Sequence, residues 1–273
     1  MAGTRNQPIG PLPSYENPPI SEVACGISFE PIQGLIIPHY GRFWEQIRDL
    51  YPVSQHAPPI NLSPEAVDPA TGLPLPRVWF VASDGAFLIQ LQRDRFIVNW
   101  RKIAADSIYP RYPAVVERFW SAFDTFKIFL TQQNLGSIII RNCELVYINF
   151  IPQGEGWKNA AEVGEVLPDV HWRTEPRFLP NPSALYWHAE FQLDKDDIGT
   201  LTIDLKRGLR LHDQVPGLQL EFTVRGIGED RSDGALRRWF DLSREYIVRG
   251  FADITEAKVQ AQFWKRTDAI AQS

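Results

Sequence analysis

The chain has 273 residues, 44% hydrophobic and 22% charged, a composition that suits a globular protein with a substantial core. Its net charge of -5 argues against a nucleic-acid binder, which needs a basic footprint to neutralise phosphates. Two cysteines make no disulfide framework, no Cys/His spacing marks a metal site, and no apolar run approaches the roughly 18 residues of a membrane span. No metal or cofactor is expected. The first residues lack the basic and apolar regions of a secretory signal, so the expected location is cytoplasmic.

Residues 1–20 carry Pro8, Pro11, Pro13, Pro18 and Pro19 among polar residues, which predicts an extended arm rather than a packed element. Residues 22–29 place Val23, Cys25, Ile27 and Phe29 at alternate positions and read as a strand. Tyr40, Phe43, Ile47 and Leu50 follow at helical spacing, up to Pro52. Residues 56–76 hold six prolines without periodicity and are expected to form the longest loop. Three short strands follow over 78–102, turning at Ser83-Asp84-Gly85 and at Gln92-Arg93-Asp94-Arg95. The apolar stripe Val115, Phe119, Phe123, Phe126 and Leu130 predicts a long helix over 112–134, stopped by Gly136. A strand over 138–152, a weak helix near 159–166 and strands near 184–193, 199–205 and 218–225 come next. The closing helix covers 235–251, and a last helix starts from Thr255 as N-cap and presents Val259, Phe263 and Trp264.

The second half echoes the first. At a shift of 121 residues, Ile27, Phe29 and Pro31 fall on Ile148, Phe150 and Pro152. Val115, Phe119, Ala122, Phe126 and Leu130 fall on Leu236, Phe240, Ser243, Ile247 and Phe251 at the same shift. Phe96, Val98 and Trp100 match Leu218, Leu220 and Phe222 at 122. The expectation is an α+β protein with two copies of a β-α-β-β-β-α unit, over 21–136 and 137–273, with antiparallel sheets and long helices packed on one face. In the first sheet Val78 to Val81 is apolar on both sides, and Phe87, Ile89 and Leu91 have Ala86, Leu88 and Gln90 behind them. A second cover is therefore needed: the other half, a loop, a second subunit or an apolar ligand, with the proline-rich loop the nearest candidate. The second sheet alternates cleanly and keeps one polar face. The broken symmetry places any binding surface on the first half.

Candidate chemistry is sparse. Asp204-x-Lys206 on a strand, with Glu190 and Glu221 nearby and Pro168-Asp169 as a distant acidic motif, resembles the cluster of PD-(D/E)xK nucleases. There two carboxylates hold Mg²⁺ and the lysine positions the attacking water. A solvated sheet face yields the same four residues. His39, His56, His171, His188 and His212 form no triad pattern, and GxSxG, Walker and GxGxxG motifs are absent. Arg93, Arg95, Arg101 and Lys102 flank Phe96 and Trp100, and Arg237, Arg238 and Arg244 lie on the closing helix. With an acidic total charge these read as a solvated rim whose stems cover apolar surface, rather than a single-strand binding groove. Nine Trp and sixteen Phe imply a ring-built core or a sticky surface, and the candidate binding rings are Trp79, Phe96, Trp100, Phe119, Trp120 and Trp264.

Tyr15-x-Asn17-Pro18-Pro19-Ile20-x-Glu22 runs into the first strand; Phe96-x-Val98 and the ending Phe251-Ala252-Asp253-Ile254-Thr255, followed by Trp264, complete a pattern. It resembles that of a sporadically distributed, uncharacterised bacterial protein family over nearly the whole chain. That family carries a Trp-Gly pair near its end, where this chain has Trp264-Lys265. The resemblance implies no specific activity. The family's patchy occurrence implies accessory genes, of the kind found in defence or toxin–antitoxin loci. The leading expectation is a non-enzymatic interaction or regulatory protein that engages a protein partner or itself. The alternatives are a small-molecule binder with a pocket between the first sheet and its long helix, and a Mg²⁺-dependent nuclease.

Overall fold

The alternating segments pair into a single antiparallel sheet of nine strands in the computed structural model, which describes residues 10–60, 67, 71–73, 75–171, 178–193, 198–210 and 213–268. The strands are β1 (Ile20–Phe29), β2 (Val53–Ala57), β3 (Arg77–Val81), β4 (Phe87–Gln92), β5 (Arg95–Arg101), β6 (Ile140–Pro152), β7 (Tyr186–Gln192), β8 (Thr200–Leu209) and β9 (Pro216–Gly226). Their order is β2-β3-β4-β5-β1-β6-β9-β8-β7. Separate sheets were expected. Instead β1 and β6 pair from Ile20↔Asn149 to Phe29↔Ile140, so one sheet runs through the join.

Helices α1 (Ile37–Ile47), α2 (Tyr112–Gln132) and α3 (Asp233–Ile254) pack on one face, and α4 (Ala257–Gln262) follows α3. A short 3-10 helix, Ala160–Glu165, is capped by Asn159, whose side chain accepts from the Ala161 amide. Thr255 is not an N-cap. It ends α3 and donates to the Phe251 carbonyl at 2.5 Å, while Glu256 takes the cap position of α4.

Alternation explains the layering, because successive strand residues point to opposite faces. Val23, Cys25, Ile27 and Phe29 join the helix-side core, and Ala24 joins a small cluster on the other face with Ile97 and Val146. This face assignment corrects the repeat. Ile27 lies under the helices, whereas Ile148, its mate at a shift of 121, packs on the opposite face. The helix positions do keep their face at 121: Phe119 and Phe240 are both buried in the one core and sit 5.2 Å apart.

The first half is covered twice, as its apolar strands require. Every residue of β4 is buried. On the open face Ile60, from the proline-rich stretch, packs against Ala24, Ile97 and Val146 and exchanges backbone hydrogen bonds with the Gln92 side chain at 2.9 and 3.1 Å. Much of the remaining loop lies outside the described residues. Its start is not loop: His56 belongs to β2, an exposed edge strand whose sequence Val-Ser-Gln-His-Ala shows no alternation to read.

The arm was expected to stay unpacked, yet its described part, from residue 10 onward, is packed. The Glu16 and Asn17 amides donate to the Lys265 and Trp264 carbonyls at 3.1 Å each, and the Thr267 amide donates to Ser14 at 2.8 Å. Tyr15 is buried, its ring 5.7 Å from Phe251 and 6.4 Å from Trp264. Its hydroxyl donates to Gln260, which is itself buried and donates to the Ala252 and Thr255 carbonyls. A tyrosine that finds both an apolar slot and a hydrogen-bond partner turns a flexible arm into a seam.

Candidate functional site

Five of the six rings proposed for binding lie in the core. Phe96, Trp100, Phe119, Trp120 and Trp264 are all at most 3% exposed. Phe96 stacks on Phe126 at 5.2 Å, Trp120 meets Phe240 edge-on at 5.7 Å, and Trp264 meets Phe251 at 5.0 Å. Trp79 differs: it is half-buried on the open sheet face, with the Arg77 and Arg101 guanidiniums 5.4 and 5.8 Å from its ring centroid. The space between β5 and α2, where a pocket was expected, is filled by Phe96, Phe119, Phe123 and Phe126.

Glu190, Asp204, Lys206 and Glu221 share the open face of the second half. Asp204 stands in register with His188 on β7 and Glu221 on β9, while Glu190 pairs with Thr202 and Lys206 with Tyr186 and Gln219. Burial opposes ionisation of Asp204, but hydrogen bonds from Tyr186 and His188 outweigh it and hold the carboxyl below its ordinary range. The four residues line neither cavity described below. Among the described residues no three His, Cys, Asp or Glu side chains come together as metal ligands. Asp169 sits in an exposed turn after the 3-10 helix, and His212 lies outside the described residues. The arginines divide too. Arg93 is no rim residue but a buried one, donating to the Ile32, Val67 and Gln33 carbonyls at 3.2, 3.0 and 2.7 Å.

A cavity of about 470 Å³ opens where the arm crosses the seam between the halves. One wall is β6, through Tyr147 and Asn149; another is α3, through Arg244, Ile247, Val248 and Phe251. The arm closes it with Tyr15, Pro18, Pro19 and Ile20, and the entry to α2 adds Tyr109, Arg111 and Tyr112. The lining holds two arginines and no carboxylate. Several residues of the Tyr15-to-Glu22 motif thus fold against the chain's ending at this one place.

The polar groups of this cavity are placed by different elements. Tyr109 and Tyr147 bring their hydroxyls to 3.3 Å, Tyr112 donates to Asp241 at 2.9 Å, and Asn149 donates to the Leu220 carbonyl at 3.2 Å. Burial raises the pKa of Tyr15, Tyr112 and Tyr147 and pushes Tyr109 up to about 12, so all four phenols are neutral at physiological pH. Arg244 is half-buried and lies 5.0 Å from the Tyr112 ring; among the described residues its guanidinium has no hydrogen bond and no ion pair. Arg111 carries a different signature. With φ 71 and ψ 156 its backbone occupies a region suited to glycine, and its side chain donates to the Tyr15 and Glu16 carbonyls at 2.9 and 3.4 Å.

A second, wider cavity of about 830 Å³ lies on the other side of the arm and shares Pro18, Pro19, Ile20, Tyr109 and Arg111 with the first. Its charges balance: Arg101, Lys102, Arg111 and Arg210 face Glu16, Glu22, Asp106 and Glu155. Glu22 ends a row of hydrogen bonds that runs from Arg77 through Gln90 and Asn99, at 2.7, 2.7 and 2.5 Å. Burial raises the pKa of both Glu22 and Glu155, against the hydrogen bonds each accepts from Asn99 and Trp264.

No family model matches the chain, and no curated protein matches it in sequence. No helix among the described residues is long and apolar enough to cross a membrane.

Proposed function

We propose that the protein binds a small amphipathic molecule in the cavity between β6 and α3, with the docked arm as its outer wall. An apolar, ring-lined space of about 470 Å³ with a few convergent polar groups carries this reading, since it has the size and lining of a small-molecule site. The strained Arg111 supports it as well. Such conformations persist where surrounding structure over-determines them, and they cluster at ligand clamps and switch regions. The protein-interaction reading needs an aromatic surface, and most of the rings proposed for one are buried. A regulatory role remains compatible, because a bound molecule would touch the arm directly at Tyr15 and Pro18.

Two copies of one β-α-β-β-β-α unit, over 21–136 and 137–273, are proposed as the scaffold. The orders β1-β5-β4-β3 and β6-β9-β8-β7 on the two sides of the join support this, with β2 an extra edge strand in the first half, as does the helix match at a shift of 121.

The uncharged dye N-phenyl-1-naphthylamine tests the site. It is expected to bind with one-to-one stoichiometry and enhanced fluorescence, and to raise the melting temperature. Val248→Trp fills the cavity from α3 and should abolish that binding while the chain still folds. Binding that is non-saturable, or unchanged in Val248→Trp, overturns the proposal.

A further inference from the structure

We infer that the molecule held in this cavity is a monoanion with an apolar body, its acid group paired with Arg244; this rests on the reading of the cavity as a ligand site. Arg244 projects from α3 into a ring-lined space, half-buried, and no hydrogen bond or ion pair engages its guanidinium among the described residues. A partly desolvated cation is costly unless it is paired. The usual internal solution is missing, because the cavity lining contributes no Asp or Glu.

The surroundings reinforce that imbalance. Asp241, one turn earlier on α3, is engaged by the Tyr112 hydroxyl at 2.9 Å and forms no ion pair with Arg244. Of the four neutral phenols, Tyr15 and Tyr112 already donate to Gln260 and Asp241, and one of the Tyr109–Tyr147 pair donates to the other, so one proton is left for an anion and no phenol neutralises Arg244. Arg111, at the rim, adds a second positive charge, although its fork is used on the arm carbonyls. A guanidinium presents several donors in a planar fork that matches a carboxylate, or a sulfonate, in a bidentate pair. Apart from Ser14 and Asn149, the rest of the lining is prolines, rings and aliphatic side chains such as Ile247, Val248 and Phe251, against which an apolar body packs without stranding polar groups.

The ligand class therefore joins one acid group to an aryl or acyl body, and the two bodies can be told apart by experiment. Displacement of N-phenyl-1-naphthylamine is measured for two matched pairs, trans-cinnamate against cinnamyl alcohol and decanoate against 1-decanol. These run on the wild type, Arg244→Gln and Arg244→Lys, with melting curves confirming that each variant folds. In the wild type each acid should bind about tenfold to a hundredfold more tightly than its alcohol, the range of a charged hydrogen bond. In Arg244→Gln that preference should vanish while the alcohol affinity holds, and Arg244→Lys should restore part of it. The pair with the larger wild-type affinity identifies the body. Acids and alcohols that displace the dye equally would overturn the anion assignment and leave the cavity as a site. A preference that survives in Arg244→Gln would overturn the role of Arg244. A dye that never binds would remove the site itself.

Discussion

Replacing Phe96 separates a core role from a binding role. The ring is fully buried, stacks on Phe126 at 5.2 Å, and lies 5.6 Å from Phe123, 6.3 Å from Phe43 and 6.4 Å from Phe119. Truncation to alanine exposes on the order of 150 Å² of apolar surface to a void, about 4 kcal/mol at ~25 cal/mol per Å². The neighbouring rings hang from α1 and α2 over the strands and cannot all move inward. The loss should therefore fall at the upper end of the range of about 3–5 kcal/mol for Phe→Ala. A loss that size is a large part of the stability of about 5–15 kcal/mol typical of a native protein. Phe96→Leu keeps most of the volume and should cost about 1.5 kcal/mol. Urea unfolding followed by tryptophan fluorescence measures both. Dye affinity in Phe96→Leu should equal that of the wild type, because Phe96 does not line the cavity. A loss under about 1.5 kcal/mol for Phe96→Ala, or weakened dye binding in Phe96→Leu, would refute the core assignment.

Three further outcomes follow from local geometry. Burial raises the Glu22 pKa, so the folded chain holds that proton more tightly than the unfolded chain does; its contribution is full below about pH 4 and is lost as the pH rises through the raised value. Glu22→Gln should then be more stable than the wild type near pH 7 and show a flatter profile in melting curves from about pH 4 to 8; an unchanged slope counts against it. Gly199 has φ 111, and an added Cβ would sit 2.0 Å from the Arg225 carbonyl oxygen. Gly199→Ala should lose about 3 kcal/mol or more, whereas Gly208→Ala, with open space around it, should stay within about 0.5 kcal/mol; equal melting temperatures would contradict the clash. Arg111→Gly relieves a backbone cost of about 1–3 kcal/mol but removes two hydrogen bonds to the arm. Overall stability should change little while amide exchange at Glu16 and Asn17 accelerates, and unaltered exchange there would contradict the part of Arg111 in holding the arm.

The helices were legible because their apolar stripes are broad and carry large rings, as with Val115 to Leu130 on α2. The strands other than β2 were legible as strands, but their relation between halves was not. A one-residue slip flips every residue of a strand to the other face, so an offset that suits the helices fails for a strand whenever one residue is gained or lost between them. That is why a shift of 121 suited α2 and α3 yet put Ile148 on the wrong face for Ile27. Arg93 could not be read as buried, since a hairpin turn ordinarily faces water. The cavity was hidden because segments near 13–20, 109–113, 147–149 and 244–251 meet only after the sheet closes across β1 and β6. One signal was present. Arg244 lies four residues after Phe240 and three before Ile247, so helical spacing sets a charge beside the apolar stripe of α3.

A crystal structure of the complex with trans-cinnamate tests the central claim most directly. The ring should lie among Tyr109, Tyr147, Ile247 and Phe251, with the carboxylate within hydrogen-bond distance of the Arg244 guanidinium. Cinnamate bound elsewhere, or seated in the cavity with its carboxylate turned away from Arg244, would contradict it.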